Sequence, residues 1–177
     1  MAANTGQTAP DDEWLNGLQE DILEPDIAIV DPHHHLWLRN GYTYLLPELA
    51  ADMASGHKIV ASVFAECHSM YRQGGPLEER SLGETEFVRG QAAMSASGEF
   101  GSVRACDVMF GNVDVMLAEK VEPLLEKHVE ASGGRFRGIR ISSGWHASAL
   151  IHNVTPHAQL LMSPQVGAVA DILARMN

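Results

Sequence analysis

The stretch from Ala28 to Trp37 reads AIVDPHHHLW: a short apolar run, a proline and three histidines in succession. An expression tag is longer and sits at a terminus, whereas these histidines are preceded by DIAIV and followed by LW, so they belong to the protein's own fold. In an extended strand side chains alternate between faces. That places Ile27, Ile29, Asp31, His33 and His35 on one face and Ala28, Val30, Pro32 and His34 on the other. The first face passes from apolar to acidic to imidazole toward the carboxyl end, where parallel sheets and barrels hold their ligands. Two imidazoles at i and i+2 can offer nitrogens to one divalent ion, with Asp31 placed to orient one of them. The other reading is a solvated polar strand end or hydrogen-bonded core histidines.

Working outward, Asp11 or Asp12 is expected to cap a helix that carries Trp14, Leu15, Leu18, Ile22 and Leu23 at helical spacing. Residues 1–10 are small and polar and are expected to be a flexible N-terminus. After the histidines, LLPELAADMASG reads as a short helix closed by Gly56, and KIVASVFAE as a second strand ending at Glu66. ETEFVRGQAAMSASG follows as a helix stopped by Gly98, and SVRACDVMFGNV as a third strand. In DVMLAEKVEPLLEKHVEASGG one helical stripe holds Leu117, Val121, Leu124, Leu125 and His128, and Pro123 predicts a break near Glu122. RFRGIRISSG is a fourth strand, and SPQVGAVADILARMN a closing helix with Ser163 as cap and Pro164 in its first turn. Four strand–helix units in alternation predict an α/β fold with a parallel sheet of right-handed βαβ units, a single domain over residues 11–177.

The composition narrows the partners. Net charge is −11 over 177 residues, which disfavours a surface devoted to nucleic acid or anionic lipid. No apolar run approaches the ~20 residues that cross a bilayer, and the first residues carry no leader pattern. Two cysteines far apart in sequence, Cys67 and Cys106, read as buried free thiols of a reducing, cytoplasmic compartment. No nucleotide-binding or serine-hydrolase fingerprint is present.

IVDPHHHLW resembles the opening strand of the amidohydrolase-related enzymes, the second amidohydrolase family, which includes sugar lactonases and a lactonase of a pyrone dicarboxylate. The resemblance continues through VASVFAECHSMYRQGGP, GETEFVRGQAAMSASG and GGRFRGIRISSGWH, over roughly residues 12–150. It implies a (β/α)₈ TIM barrel and, often, a divalent metal such as zinc or manganese. The implied activity is hydrolysis of a lactone, amide or related C–O or C–N bond in a small anionic molecule; some relatives decarboxylate instead. Carried over by position, His33 and His35 are the metal-ligand pair, Glu66 stands at the end of the second strand, and Arg140 on the fourth strand binds an anion or carboxylate. Trp37 and Trp145 are candidate pocket walls for that substrate.

A complete barrel takes ~250 residues and eight strands, whereas four are read here. The family's later histidine ligand and its aspartate acid have no counterpart in this sequence, and Asp171 falls inside the last helix pattern. Glu66, His68, His146 and His152 are the side chains left to complete a ligand set, since zinc hydrolases usually use three protein ligands. Open edges on the first and fourth strands predict pairing, either a homo-oligomer closing a pseudo-barrel or a truncated, non-catalytic half barrel with a complementary half. Arg137 and Arg140 have opposite parity, and Arg140 is expected to face inward. Glu78, Glu79, Glu84 and Glu86 read as a solvated acidic face, and His128 as a partly buried helix residue.

Overall fold

The computed structural model describes residues 11–176 apart from Gln19 and Asn40, so the expectation for residues 1–10 lies outside the described residues. The chain opens with a single turn, α1 (Asp12–Leu15), whose Trp14 N–H is capped by Asp11 Oδ1 at 3.1 Å. The expected amphipathic helix does not continue. Trp14, Leu18 and Leu23 are exposed, with no surface among the described residues to cover them, and helical spacing alone does not sustain a helix in water.

The first strand, β1 (Ile29–His34), leads into a small antiparallel hairpin not foreseen from the sequence, β2 (Trp37–Arg39) and β3 (Tyr42–Tyr44). Between these strands Gly41 takes a φ of 77°, a turn conformation glycine adopts without strain. Then come α2 (Leu46–Met53), β4 (Ile59–Ala65), α3 (Leu82–Ala96) and β5 (Arg104–Gly111). A 3₁₀ segment, Val115–Val121, runs into α4 (Glu122–Ser132), with Pro123 in the first turn of α4, where its missing N–H does no harm. The anticipated break is therefore the start of a new helix. Gly133 ends α4 in the left-handed region (φ 63°). The strand β6 (Phe136–Ile139) is shorter than expected, and residues 140–159 hold no helix or strand before a 3₁₀ turn at Leu160–Met162 and α5 (Pro164–Met176).

The main sheet is parallel throughout, in the order β1-β4-β5-β6, so each strand lies beside its successor in this sheet with a helix in the connection. That is the arrangement strand–helix alternation predicts. β4 is central and apolar on both faces, as a covered parallel strand must be. Its Phe64 packs in a core with Leu46, Leu49, Met109, Leu125 and Phe136. Both cysteines are buried and free. Among the described residues no helix is long and apolar enough to cross a membrane.

Candidate functional site

Alternation of faces survives a local irregularity at the histidines. Asp31 Oδ1 accepts the His33 backbone N–H at 3.0 Å, a local bend, and the pairing of β1 with β4 shifts register between Asp31 and His34. Asp31 therefore orients backbone, not an imidazole ring, which corrects the expected supporting role. After the bend His34 turns into the core while His33 and His35 turn out at the carboxyl end of the sheet. His34 Nε2 lies 2.9 Å from Ser62 Oγ, and burial pushes its pKa down to about 4.

His33 and His35 do come together. Their Nε2 atoms are 3.2 Å apart with the rings edge to face. His35 Nδ1 is 2.8 Å from the Ala65 carbonyl oxygen, which only accepts, so the proton sits on Nδ1 and Nε2 of the neutral ring carries a lone pair. Burial, and behind it the Arg140 guanidinium, hold His35 below the usual imidazole value and so keep it neutral. Trp37 stacks on the His35 ring (5.5 Å, 26°) and carries the Arg39 guanidinium 5.0 Å above its own ring. It braces the imidazole.

Glu66 and Arg140 complete the cluster. Arg140 Nε donates to Glu66 Oε1 at 2.9 Å and Nη2 to the Glu66 carbonyl at 2.6 Å, while Nη1 lies 3.4 Å from His33 Nε2. Arg140 sits just past β6, tied to the sheet by its N–H donating to the Gly111 carbonyl (2.9 Å). Arg137, of the other parity, is exposed and donates to the Gly134 and Phe136 carbonyls. Glu66 is fully buried. Its second oxygen, Oε2, makes no hydrogen bond but lies 3.4 Å from His68 Nε2. Trp145 is exposed in the 140–159 segment, and His146 Nδ1 accepts the Ser148 N–H.

The donor set decides how a metal fits. Two Zn–N bonds of tetrahedral geometry separate their nitrogens by about 3.3 Å, close to the observed 3.2 Å. A ring N–H held by a backbone carbonyl is the usual support of a metal-bound histidine. The pair therefore fits as one arm of a divalent site. Among the described residues no group of three or more His, Cys, Asp or Glu side chains closes around a common point, so Glu66, His68, His146 and His152 do not complete the set.

Beside the cluster a cavity of about 440 Å³ opens at the carboxyl ends of β5 and β6, lined by His68, Asn112, Ser142, Thr155 and His157 among others. His68 is the residue it shares with the Glu66 side of the site; the imidazole pair does not line it. His33 instead borders a cavity of about 370 Å³ between β1 and α2, with Asp31, Tyr44 and Asp52.

The residue missed from the sequence is Glu84. Its carboxylate is buried at 2 % exposure and accepts the N–H groups of Cys67 and Ser69, at 3.0 and 2.7 Å. Burial pushes it up to about 7 against the opposing pull of those two bonds. A run of glutamates around Leu82 signals only a helix start, and nothing in that composition separates the one that turns inward. His128 also differs from expectation by being wholly buried, with the hydroxyls of Ser81 and Thr85 beside its two ring nitrogens.

Comparison with family models, with curated proteins and with solved structures finds no match to this chain.

Proposed function

We propose that the chain carries the first half of a (β/α)₈ barrel of amidohydrolase type and acts as a metal-dependent hydrolase on a lactone, amide or related bond of a small anionic molecule. The observation that carries this reading is the 3.2 Å approach of His33 Nε2 and His35 Nε2 beside Arg140 at the carboxyl end of a parallel sheet in sequential order. His33 and His35 would hold a divalent ion, zinc or manganese. Such an ion lowers the pKa of water and polarises a carbonyl. Glu66 fixes the guanidinium by two of its donors and leaves Nη1 facing the imidazoles, where it can receive a substrate carboxylate. Burial keeps His35 ready to donate its electron pair near neutral pH.

Metal analysis of the purified protein tests this. Stoichiometric zinc or manganese is expected in the wild type, with His33→Ala and His35→Ala each lowering the bound metal at least tenfold while melting at the temperature of the chelator-treated wild type. Wild type that takes up no divalent ion from a micromolar solution would sink the reading and leave the imidazoles as a hydrogen-bonded pair.

A second reading rests on the edges of the sheet. β1 and β6 each pair with one neighbour only among the described residues. A half barrel that completes itself by pairing with a second copy, or with a complementary half, would satisfy both edges and could supply the missing ligands.

A further inference from the structure

The segment that leaves β4 bends twice into left-handed backbone, at His68 (φ 60°) and Met70 (φ 55°), neither of them glycine. Each such residue costs on the order of 1–2 kcal/mol, so the surroundings must hold it there. The holding group is a single carboxylate oxygen. The amides on either side of His68, those of Cys67 and Ser69, both donate to Glu84 Oε1. Backbone N–H groups converging around a left-handed residue form a concavity that accepts an oxygen, and here a carboxyl oxygen from the first turn of α3 fills it.

Two further features press that turn against the segment. A Cβ on Gly83 would lie 2.4 Å from the Met70 carbonyl oxygen and 2.7 Å from the Arg72 nitrogen, so only glycine permits the approach. Arg72 N–H also donates to the Arg80 carbonyl at 2.9 Å. From the other side Arg39 donates to the Cys67 carbonyl. What the clamped segment presents is Glu66, which holds Arg140 through both its side chain and its carbonyl, and His68 against Glu66 Oε2.

We propose that Glu84 is a positioning residue: seated between the Cys67 and Ser69 amides, its carboxylate locks the strained β4–α3 segment and so fixes Glu66, and through it Arg140, beside the imidazole pair. The link to chemistry rests on reading His33 and His35 as a cation arm; the lock itself does not. A carboxylate that merely stabilised the whole fold would make the same two hydrogen bonds, and the two roles part in how the damage spreads when it is removed.

The two buried thiols read that spread, since Cys67 lies in the clamped segment and Cys106 in β5. Native-state labelling with an aromatic disulfide reagent and amide exchange at residues 67 and 69 are compared in wild type, Glu84→Ala, Glu84→Asp and Glu84→Gln. In the Ala and Asp variants Cys67 is expected to label at least tenfold faster and the two amides to lose at least tenfold of their protection, with Cys106 unchanged. Gln, which keeps an acceptor oxygen at full length, is expected to stay within threefold of wild type. Should the Ala variant not fold, Asp and Gln carry the same contrast. The proposal is overturned if Cys67 stays protected in the folded Ala or Asp variant, if both thiols accelerate together, or if Gln gives no rescue.

Titration with Co²⁺ supplies the second arm. Binding at least tenfold weaker in Glu84→Ala than in wild type, and restored by Gln, is expected if freeing Glu66 also frees the Arg140 guanidinium. Equal binding in wild type and Glu84→Ala overturns the positioning role. If wild type binds no Co²⁺, the cation reading alone fails, and the thiol and exchange results still decide whether Glu84 is the lock.

Discussion

His34, His128 and Glu84 are buried ionisable side chains whose environments pull in opposite directions. Burial pushes both histidines down to about 4, so the unfolded chain takes up their protons below its ordinary pKa of about 6.5 and folding loses stability as pH falls from there toward 4. His35, lowered for the same reason, adds to that loss. Glu84, pushed up to about 7, works the other way. The folded state keeps a proton that the unfolded chain has released above about pH 4.5, and this contribution is lost as pH rises through 7. Two histidines against one glutamate leave a net proton uptake on unfolding that grows from a fraction of a proton at pH 6.5 to about one at pH 5. Stability should therefore fall ever more steeply as pH is lowered from 6.5, approaching about 1.4 kcal/mol per pH unit near pH 5. His128→Gln should remove roughly that slope, as read from denaturant midpoints at pH 5, 6 and 7; an unchanged slope would show that His128 is not the group responsible. The sequence made the imidazole pair legible because i and i+2 spacing survives a local bend. Parity set His34 apart from His33 and His35, but it gave no sign of the bend that Asp31 makes by capturing the His33 amide.

At the scale of elements, the four parallel strands and the helices between them follow from patterns that tertiary contacts reinforce, as in IVASVFA of β4, where apolar residues fill both faces. The first helix failed on the same principle. Its apolar stripe is regular, but among the described residues Trp14, Leu18 and Leu23 find nothing to bury them, and four residues are helical. The β4–α3 connection was unreadable for another reason, because its shape comes from a carboxyl group supplied seventeen positions away, between Cys67 and Glu84. Close packing there makes Gly83→Ala informative. The added methyl would meet backbone that cannot give way, so a loss of about 1–3 kcal/mol is expected. Faster exchange should be confined to residues 67–72. A neutral effect in thermal melts would mean that the turn and the segment are less tightly apposed than the contact distances require. Phe64→Ala, near the carboxyl end of β4, should lose about 3–5 kcal/mol by chemical denaturation, with the imidazole pair left in place.

On the scale of the whole molecule, the decisive fact is a sheet with two outer strands, β1 and β6, each paired on one side among the described residues. Pro32 removes one donor from β1, a common way of blunting an edge, but β6 carries no proline and borders an apolar cavity of about 440 Å³ lined by Leu125, Phe136, Ile139 and Leu173 among others. Light scattering is expected to give a mass above that of one 19.2 kDa chain, and the net charge of −11 predicts that association strengthens as salt is raised. A monomer at all salt concentrations would remove the pairing reading. A join from β6 of one copy to β1 of the next is head to tail, so the same contact is offered again at each free end. Whether such growth stops depends on the curvature of the sheet: enough rotation per copy returns the chain of contacts to its start as a finite ring, and too little extends it into a filament. Electron micrographs of concentrated, high-salt samples would distinguish the two by eye.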